Sequence, residues 1–244
     1  MPRKRSKKLS ILLCTYQNEH AVIPSLFELS KQNLPRSQYE IILVGDGVDL
    51  LECARRNNIE KYIYVDNPNN LYHPNRVRNE GIKQCEGKLV FLLHDNIFDL
   101  QGTDYLQKLW RLSEKGTKAV YTANCVKTFA FDENHKIILT NTMAANPTGF
   151  YAHQDAVPLH YLRKVMGFDE MFDGDKGYDD KDLEKRLIQI GCEFVDGGEL
   201  TSVKYNMREI WRAQEFPNTS KTGSRNADII VSRNDSGYYA PKNR

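Results

Sequence analysis

The sequence predicts an α/β fold, a mostly parallel sheet flanked by helices with a smaller mixed region after it. Three observations predict it. Short apolar β-type runs alternate with helical segments through the first half of the chain. The connections between them are short, as right-handed strand–helix–strand crossovers require. The central run, Tyr39–Val44, is almost continuously apolar, the pattern of a strand buried on both faces.

The elements follow in order. Leu9–Cys14 reads as the first strand. Pro24–Lys31 has helical spacing, with Leu26, Leu29 and neighbouring Phe27 on one side and Pro24 in the first turn. Tyr39–Val44 is the second strand, Leu50–Asn57 a short helix and Lys61–Val65 the third strand. Asn75–Cys85 is a helix ended by Gly87, and Leu89–Leu93 a fourth strand. Beyond that, Leu106–Glu114 reads as helix, Ala119–Val126 and Lys136–Thr140 as strands, and Val157–Met166 as helix. Asp180–Ile190 is a well-marked helix, with Leu183, Leu187, Ile188 and Ile190 on one side and Gly191 as its C-cap. Past Trp211 the chain turns polar and loses periodicity. The expected division is a basic tail over 1–8, one domain over 9–212 and a polar arm or tail over 213–244. The domain splits into a nucleotide-binding half over 9–100 and an acceptor half over 101–212.

Composition narrows the function. The 244 residues are 40% hydrophobic and 27% charged, enough apolar material for a core. No apolar run approaches the roughly 20 residues that cross a bilayer, and the basic start lacks a signal peptide's apolar stretch. A cytoplasmic protein, peripheral to a membrane at most, is expected. Cys14, Cys53, Cys85, Cys125 and Cys192 stand far apart, which argues for free thiols over a disulfide framework or a zinc ribbon. Residues 1–8 carry +5 and residues 221–244 carry +3 against a total of +2, leaving −6 on the body between. Such basic ends suit nucleic acid or an anionic membrane as partners, or are simply solvated tails.

In an open parallel sheet, ligands bind at the carboxyl ends of the strands. Three of those ends here are polar: Thr15 to Glu19, Gly45-Asp46-Gly47 and His94-Asp95-Asn96. Each alone reads as a solvated turn; their convergence on one rim makes a site.

The residues around these ends resemble a known family. Leu9 to Glu19 followed by Tyr39 to Gly47 looks like the opening of family 2 glycosyltransferases with the Rossmann-like GT-A fold. Arg78-Asn79-Glu80-Gly81 with Gly87 to Leu92 is similar to the family's R-N-x-G…G-x-x-x-x-F-L stretch. Gly167 to Phe172 and Gly177 to Leu183 resemble the G-F-D-E-x-F and G-G-E-D-x-D-L motifs of galactosyltransferase-type members. The resemblance spans residues 9–205.

It implies a reaction and a set of roles. A sugar passes from a nucleotide-sugar, a UDP-sugar by resemblance, to the hydroxyl of a carbohydrate or other acceptor, with inversion. Thr15, Tyr16 and Glu19 would contact the nucleoside, Asp46 the base or ribose, and Arg78 the region near the nucleotide. Asp95 stands where the family's D-x-D has its second acid, which grips Mn²⁺ or Mg²⁺ on the diphosphate; oxygen ligands suit such hard ions. Asp180 would be the base that takes the acceptor's proton, with Asp179 and Tyr178 touching the acceptor. An alcohol is a poor nucleophile at neutral pH, so a carboxylate within reach is the chemistry the step needs. The crowd of Asp173, Asp175, Asp179, Asp180 and Asp182 would raise one pKa by like-charge repulsion. The same acids also serve as helix-capping charges, since a first turn favours them.

The chain departs from the pattern at one place. The first acid of D-x-D is Leu93, and His94, beside Asp95, is either a substitute metal ligand or a strand-end histidine. Two alternatives therefore stand beside the transferase: a nucleotide-sugar-binding protein without transfer activity, and a glycosyltransferase acting on modified DNA. The absence of a basic stripe on the acidic body weighs against the latter.

Overall fold

The computed structural model describes residues 7–16, 19–93, 95, 97–131, 137–145, 154–206 and 224–236. Nine strands form one sheet: β1 (Leu9–Tyr16), β2 (Tyr39–Asp46), β3 (Lys61–Val65), β4 (Leu89–Leu93), β5 (Ile97–Leu100), β6 (Ala119–Phe131), β7 (Ile137–Ala145), β8 (Ala156–Pro158) and β9 (Phe194–Asn206). Among the described residues seven α-helices accompany them: α1 (Glu19–Ser30), α2 (Leu51–Arg56), α3 (Pro74–Gln84), α4 (Tyr105–Leu112), α5 (Leu159–Lys164), α6 (Asp179–Gln189) and α7 (Ser224–Ser236). The strand order is β3-β2-β1-β4-β8-β6-β9-β5, with β7 beside β6.

The first four strands are parallel, β1 pairing with both β2 and β4 and β2 with β3. The far half is mixed: β6 runs parallel to β9, while β8, β7 and β5 pair antiparallel to their neighbours. This is the expected α/β GT-A architecture, a mostly parallel sheet flanked by helices.

Period-two alternation divides the core into two layers. Leu9, Ile11, Leu13, Ile41, Leu43, Leu89, Phe91 and Leu93 face α1, α2 and α4. Leu12, Ile42, Val44, Val90 and Leu92 face α3, α5 and α6. All eight residues of β2 are buried, as an apolar run with helices on both sides demands. The five cysteines are free thiols, buried or half-buried. No helix among the described residues is long and apolar enough to cross a membrane.

Several expected elements are corrected. Pro24 lies inside α1, whose buried face is centred on Val22, Ser25, Leu26 and Leu29 with Ala21 and Glu28 at its edges, while Phe27 is 60% exposed. Those buried positions follow the i, i+3, i+4, i+7 rule, which Phe27 breaks. On α6, Leu183 and Leu187 are buried but Ile188 is exposed, one position off the stripe. The helix expected from Val157 begins at Leu159, because Ala156–Pro158 pairs with β4 first. A residue before proline is held extended, and Val157 obeys that rule. The polar arm expected beyond residue 212 contains α7, an ordered helix over 224–236 with Asn226, Ile230 and Arg233 buried. The basic segments 1–6 and 237–244 lie outside the described residues.

Candidate active site

The parallel register brings the strand ends together. Thr15 is paired with Gly45 and Tyr16 with Asp46, so the ends of β1 and β2 finish level. The turn after β2 is tight: a Cβ on Gly45 would meet the Val48 carbonyl at 2.3 Å, and Gly47 has φ of +64°. That turn leaves the Asp46 carboxylate at the sheet's rim, buried.

Asp46 organises the loop between β3 and α3. Its Oδ1 accepts from Asn67 Nδ2 at 2.9 Å and lies 3.2 Å from His73 Nε2. Asn67 folds the loop around itself, accepting from the Leu71 N–H at 2.8 Å and donating to the Leu71 carbonyl at 3.0 Å. His73 is buried at the N-cap of α3, and its Nδ1 meets no hydrogen-bond partner among the described residues. Burial, with Asp46 adding to it, raises the pKa of the Tyr16 phenol. Asn67 and His73 were missed by sequence reasoning. The available signal was the polar run Asn67 to Asn75, placed between a strand end and a helix start.

On the neighbouring strand end, Thr15 Oγ1 donates to Asp95 Oδ2 at 2.8 Å. Thr15, Tyr16, Asp46 and Asp95 are thus gathered at one rim, as expected. Glu19 opens α1 as its first-turn acid, and its charge is felt at Cys53 on α2.

Leu93, at the place of the first D-x-D acid, is 4% exposed and packed in the core. His94 lies outside the described residues. Among the described residues no group of three or more His, Cys, Asp or Glu side chains could hold a metal. Asp95 alone supplies a carboxylate at the expected position, and Thr15 already bonds one of its oxygens.

The second set of candidates converges on α3 from the far half of the chain. Arg78 Nη1 donates to Asp179 Oδ2 at 2.7 Å and to Asn75 Oδ1 at 3.2 Å, and its guanidinium lies 5.0 Å from the Phe168 ring centroid. Burial opposes the charge on Arg78, but Asp179 and then Asp180 outweigh it, so Arg78 stays firmly protonated. Asn79 donates to the Phe168 carbonyl at 2.9 Å and accepts from the Phe168 N–H at 2.8 Å. Gly81 lets α3 press on β1: a Cβ there would lie 2.2 Å from Leu12 Cδ1. The R-N-x-G run therefore has one job per residue: ion pair, loop clamp and close packing.

The acid crowd separates by role. Asp173 caps α3, accepting from the Asn75 and Arg76 N–H groups at 2.9 and 3.1 Å. Burial pushes its carboxyl up to about 6, against those two hydrogen bonds and the nearby His73 and Arg78. Asp173 is thus a raised acid of this crowd, and its first cause is desolvation, where like-charge repulsion had been expected. Asp182 is buried and holds Arg186 at 2.8 Å, with Arg233 of α7 on its other oxygen. Asp179 is spent on Arg78. Asp180 remains half-buried in the first turn of α6, close enough to Arg78 and Tyr72 to influence both. Tyr178, just before it, has φ of +68°, is 37% exposed and carries Lys181 Nζ 5.6 Å from its ring centroid.

Known proteins resemble this chain in part of its sequence and in its fold. Poly(ribitol-phosphate) beta-glucosyltransferase of Bacillus spizizenii is 26% identical over 113 residues, 44% of this chain and 17% of its own length. The chain therefore spans about a sixth of that relative. In structure, the mannosyltransferase PcManGT from Pyrobaculum calidifontis, solved with GDP-Man and Mn²⁺, matches with TM-score 0.64 and 14% identity over 98% of this chain and 66% of that one. Residues 1–349 of TarS of S. aureus, solved with UDP, match with TM-score 0.58 and 14% identity over 84% of this chain and 62% of that one. The family model for glycosyl transferase family 2 matches residues 10–168, well over half of the sequence. That span holds β1 to β4, the Asp46 hub and Arg78, and by it the chain belongs to glycosyl transferase family 2.

Proposed function

We propose that this chain transfers a hexose from a UDP-sugar to an acceptor hydroxyl with inversion, and that Asp180 is the base. The observation that carries this reading is the Arg78–Asp179 pair. It ties the helix beside the nucleotide rim to the first turn of α6, and leaves the next carboxylate, Asp180, partly open to solvent. The Asp46, Thr15 and Tyr16 rim takes the nucleoside, with Glu19 and Arg78 beside it; Tyr178 and Asp179 flank the acceptor. Asp180 accepts the hydroxyl proton as the oxygen attacks the anomeric carbon. The nucleoside diphosphate leaves from the opposite face, which inverts the configuration.

The solved likenesses with UDP and with GDP-Man support a nucleotide-sugar donor. The relatives named for poly(ribitol-phosphate) favour a hydroxylated phosphate polymer as the first acceptor to try. A divalent ion such as Mn²⁺, with Asp95 and His94 as its ligands, would neutralise charge on the departing diphosphate. Leu93 favours a second reading, a nucleotide-sugar-binding protein without transfer.

Calorimetric titration with UDP, in Mn²⁺ and then in chelator, tests the donor site. Binding that weakens at least tenfold in chelator supports a metal held by Asp95. Binding that ignores metal keeps the nucleotide site and removes the metal. No binding in either condition overturns the UDP-sugar reading.

A further inference from the structure

Polar side chains of α7, in the segment whose sequence promised only a polar arm, pack against the loop that leads into the candidate acids. Asn226 is fully buried. Its one amide nitrogen donates to two carbonyls, Phe172 at 3.0 Å and Gly177 at 3.0 Å. Both of its N–H bonds are thereby used. Its Oδ1 accepts from no described residue. The two carbonyls bracket Asp173, Gly174, Asp175 and Lys176, so one side chain closes both ends of a single loop. Arg225, the preceding residue, reinforces it from outside, donating to the carbonyls of Asp173 at 2.9 Å and Met171 at 2.8 Å. At the other end of α7, Arg233 bridges Asp169 and Asp182 and lies 5.2 Å from the Phe172 ring centroid.

The stapled loop touches both halves of the candidate site. Asp173 caps α3, the helix that carries Arg78. Gly177 leads directly into Tyr178, Asp179 and Asp180, and Tyr178 holds a left-handed backbone that a side chain resists. Holding the Gly177 carbonyl fixes the peptide plane from which that turn starts. We infer that Asn226 is a positioning residue, whose double hydrogen bond to Phe172 and Gly177 sets the turn that presents Asp179 and Asp180 to the acceptor. The role assigned to those acids rests on the transferase reading above; the staple does not.

The test uses the full chain with Asn226→Ala, and Arg225→Gln as a second, solvent-side variant. Amide hydrogen exchange reads loop order without any substrate. UDP titration reads the donor site, and UDP release from UDP-glucose or UDP-N-acetylglucosamine reads turnover. Expected in Asn226→Ala are at least tenfold faster exchange over 173–180, unchanged exchange over 41–44, UDP affinity within twofold, and kcat at least tenfold lower at unchanged donor KM. Arg225→Gln should shift exchange over the same residues by a smaller factor, and it decides the matter if Asn226→Ala does not fold. Unchanged exchange over 173–180, or faster exchange spread evenly through the sheet, overturns the staple. Faster loop exchange with unchanged kcat overturns the positioning role. A wild type that neither binds UDP nor releases it overturns the donor reading instead, and the exchange result then still decides the staple.

Discussion

Arg78 and Asp179 stand 101 residues apart in sequence and 2.7 Å apart in space, both almost wholly buried. The pair joins α3 to the first turn of α6. Removing one partner of a buried pair leaves an uncompensated charge, which typically costs about 3–5 kcal/mol. Arg78→Met is therefore expected to lower unfolding free energy by about 3 kcal/mol, read as a shift in urea midpoint at constant slope. A loss under about 1 kcal/mol would show that water reaches Asp179 freely and that the joint is soft.

Asp46 is the hub of the strand-end rim, with Asn67 and His73 on one oxygen. Asp46→Asn keeps the shape and replaces a charged acceptor by a neutral amide. Charge-assisted hydrogen bonds are about twice as strong as neutral ones. UDP affinity is expected to fall at least tenfold, about 1.4 kcal/mol, in calorimetric titration. An unchanged affinity would move the base or ribose contact away from Asp46.

Asp173 gives a pH signature with a definite sign. Its native pKa, about 6, lies above the ordinary 3.8, so the folded state holds the proton more tightly than the unfolded chain. Stability from this group is present below about pH 4 and is lost as pH rises through about 6. Relative to Asp173→Asn, the wild type should therefore become less stable between pH 4 and 6 and hold a constant difference above pH 7. Thermal unfolding at unit pH steps reads this. The opposite slope would show that the two backbone N–H bonds and the α3 dipole outweigh desolvation.

The parallel half of the sheet was legible because its signals are local. β2, β3 and β4 are short, apolar and bounded by turns, and Asp46 follows β2 directly. Arg78 was legible through its motif, although its partner Asp179 was not readable from spacing. The far half hides its structure for identifiable reasons. β5 is four residues long and exists through pairing with β9, a non-local contact. β9 itself contains Gly197 and Gly198, which dilute any strand pattern. α7 buries Asn226, Ile230 and Arg233, a helical i, i+4, i+7 face with one apolar member. A periodicity search that counts apolar residues passes over a helix held by an amide and a guanidinium. His73 was hidden similarly, since nothing in a loop sequence says that a histidine will turn back onto a strand end.

Asp180 carries the sharpest prediction about chemistry. Two adjacent carboxylates open α6, and they are in different circumstances. Asp179 is buried and bound to Arg78, so removing its charge should act mainly through structure. Asp180 is half-buried in the first turn of α6, and the proposed base role needs it to meet an acceptor hydroxyl. A positioned general base contributes about 10²–10⁴-fold. Asp180→Asn is expected to lower kcat for sugar transfer by at least a hundredfold while UDP affinity stays within twofold and the melting temperature within a few degrees. Asp179→Asn is expected to lower the melting temperature as well, since Arg78 then loses its charged partner. If Asp180→Asn transfers sugar at the wild-type rate, the base lies elsewhere. If Asp179→Asn loses kcat without losing stability, the two acids exchange roles, with Asp179 acting on the acceptor proton while Arg78 holds it in place.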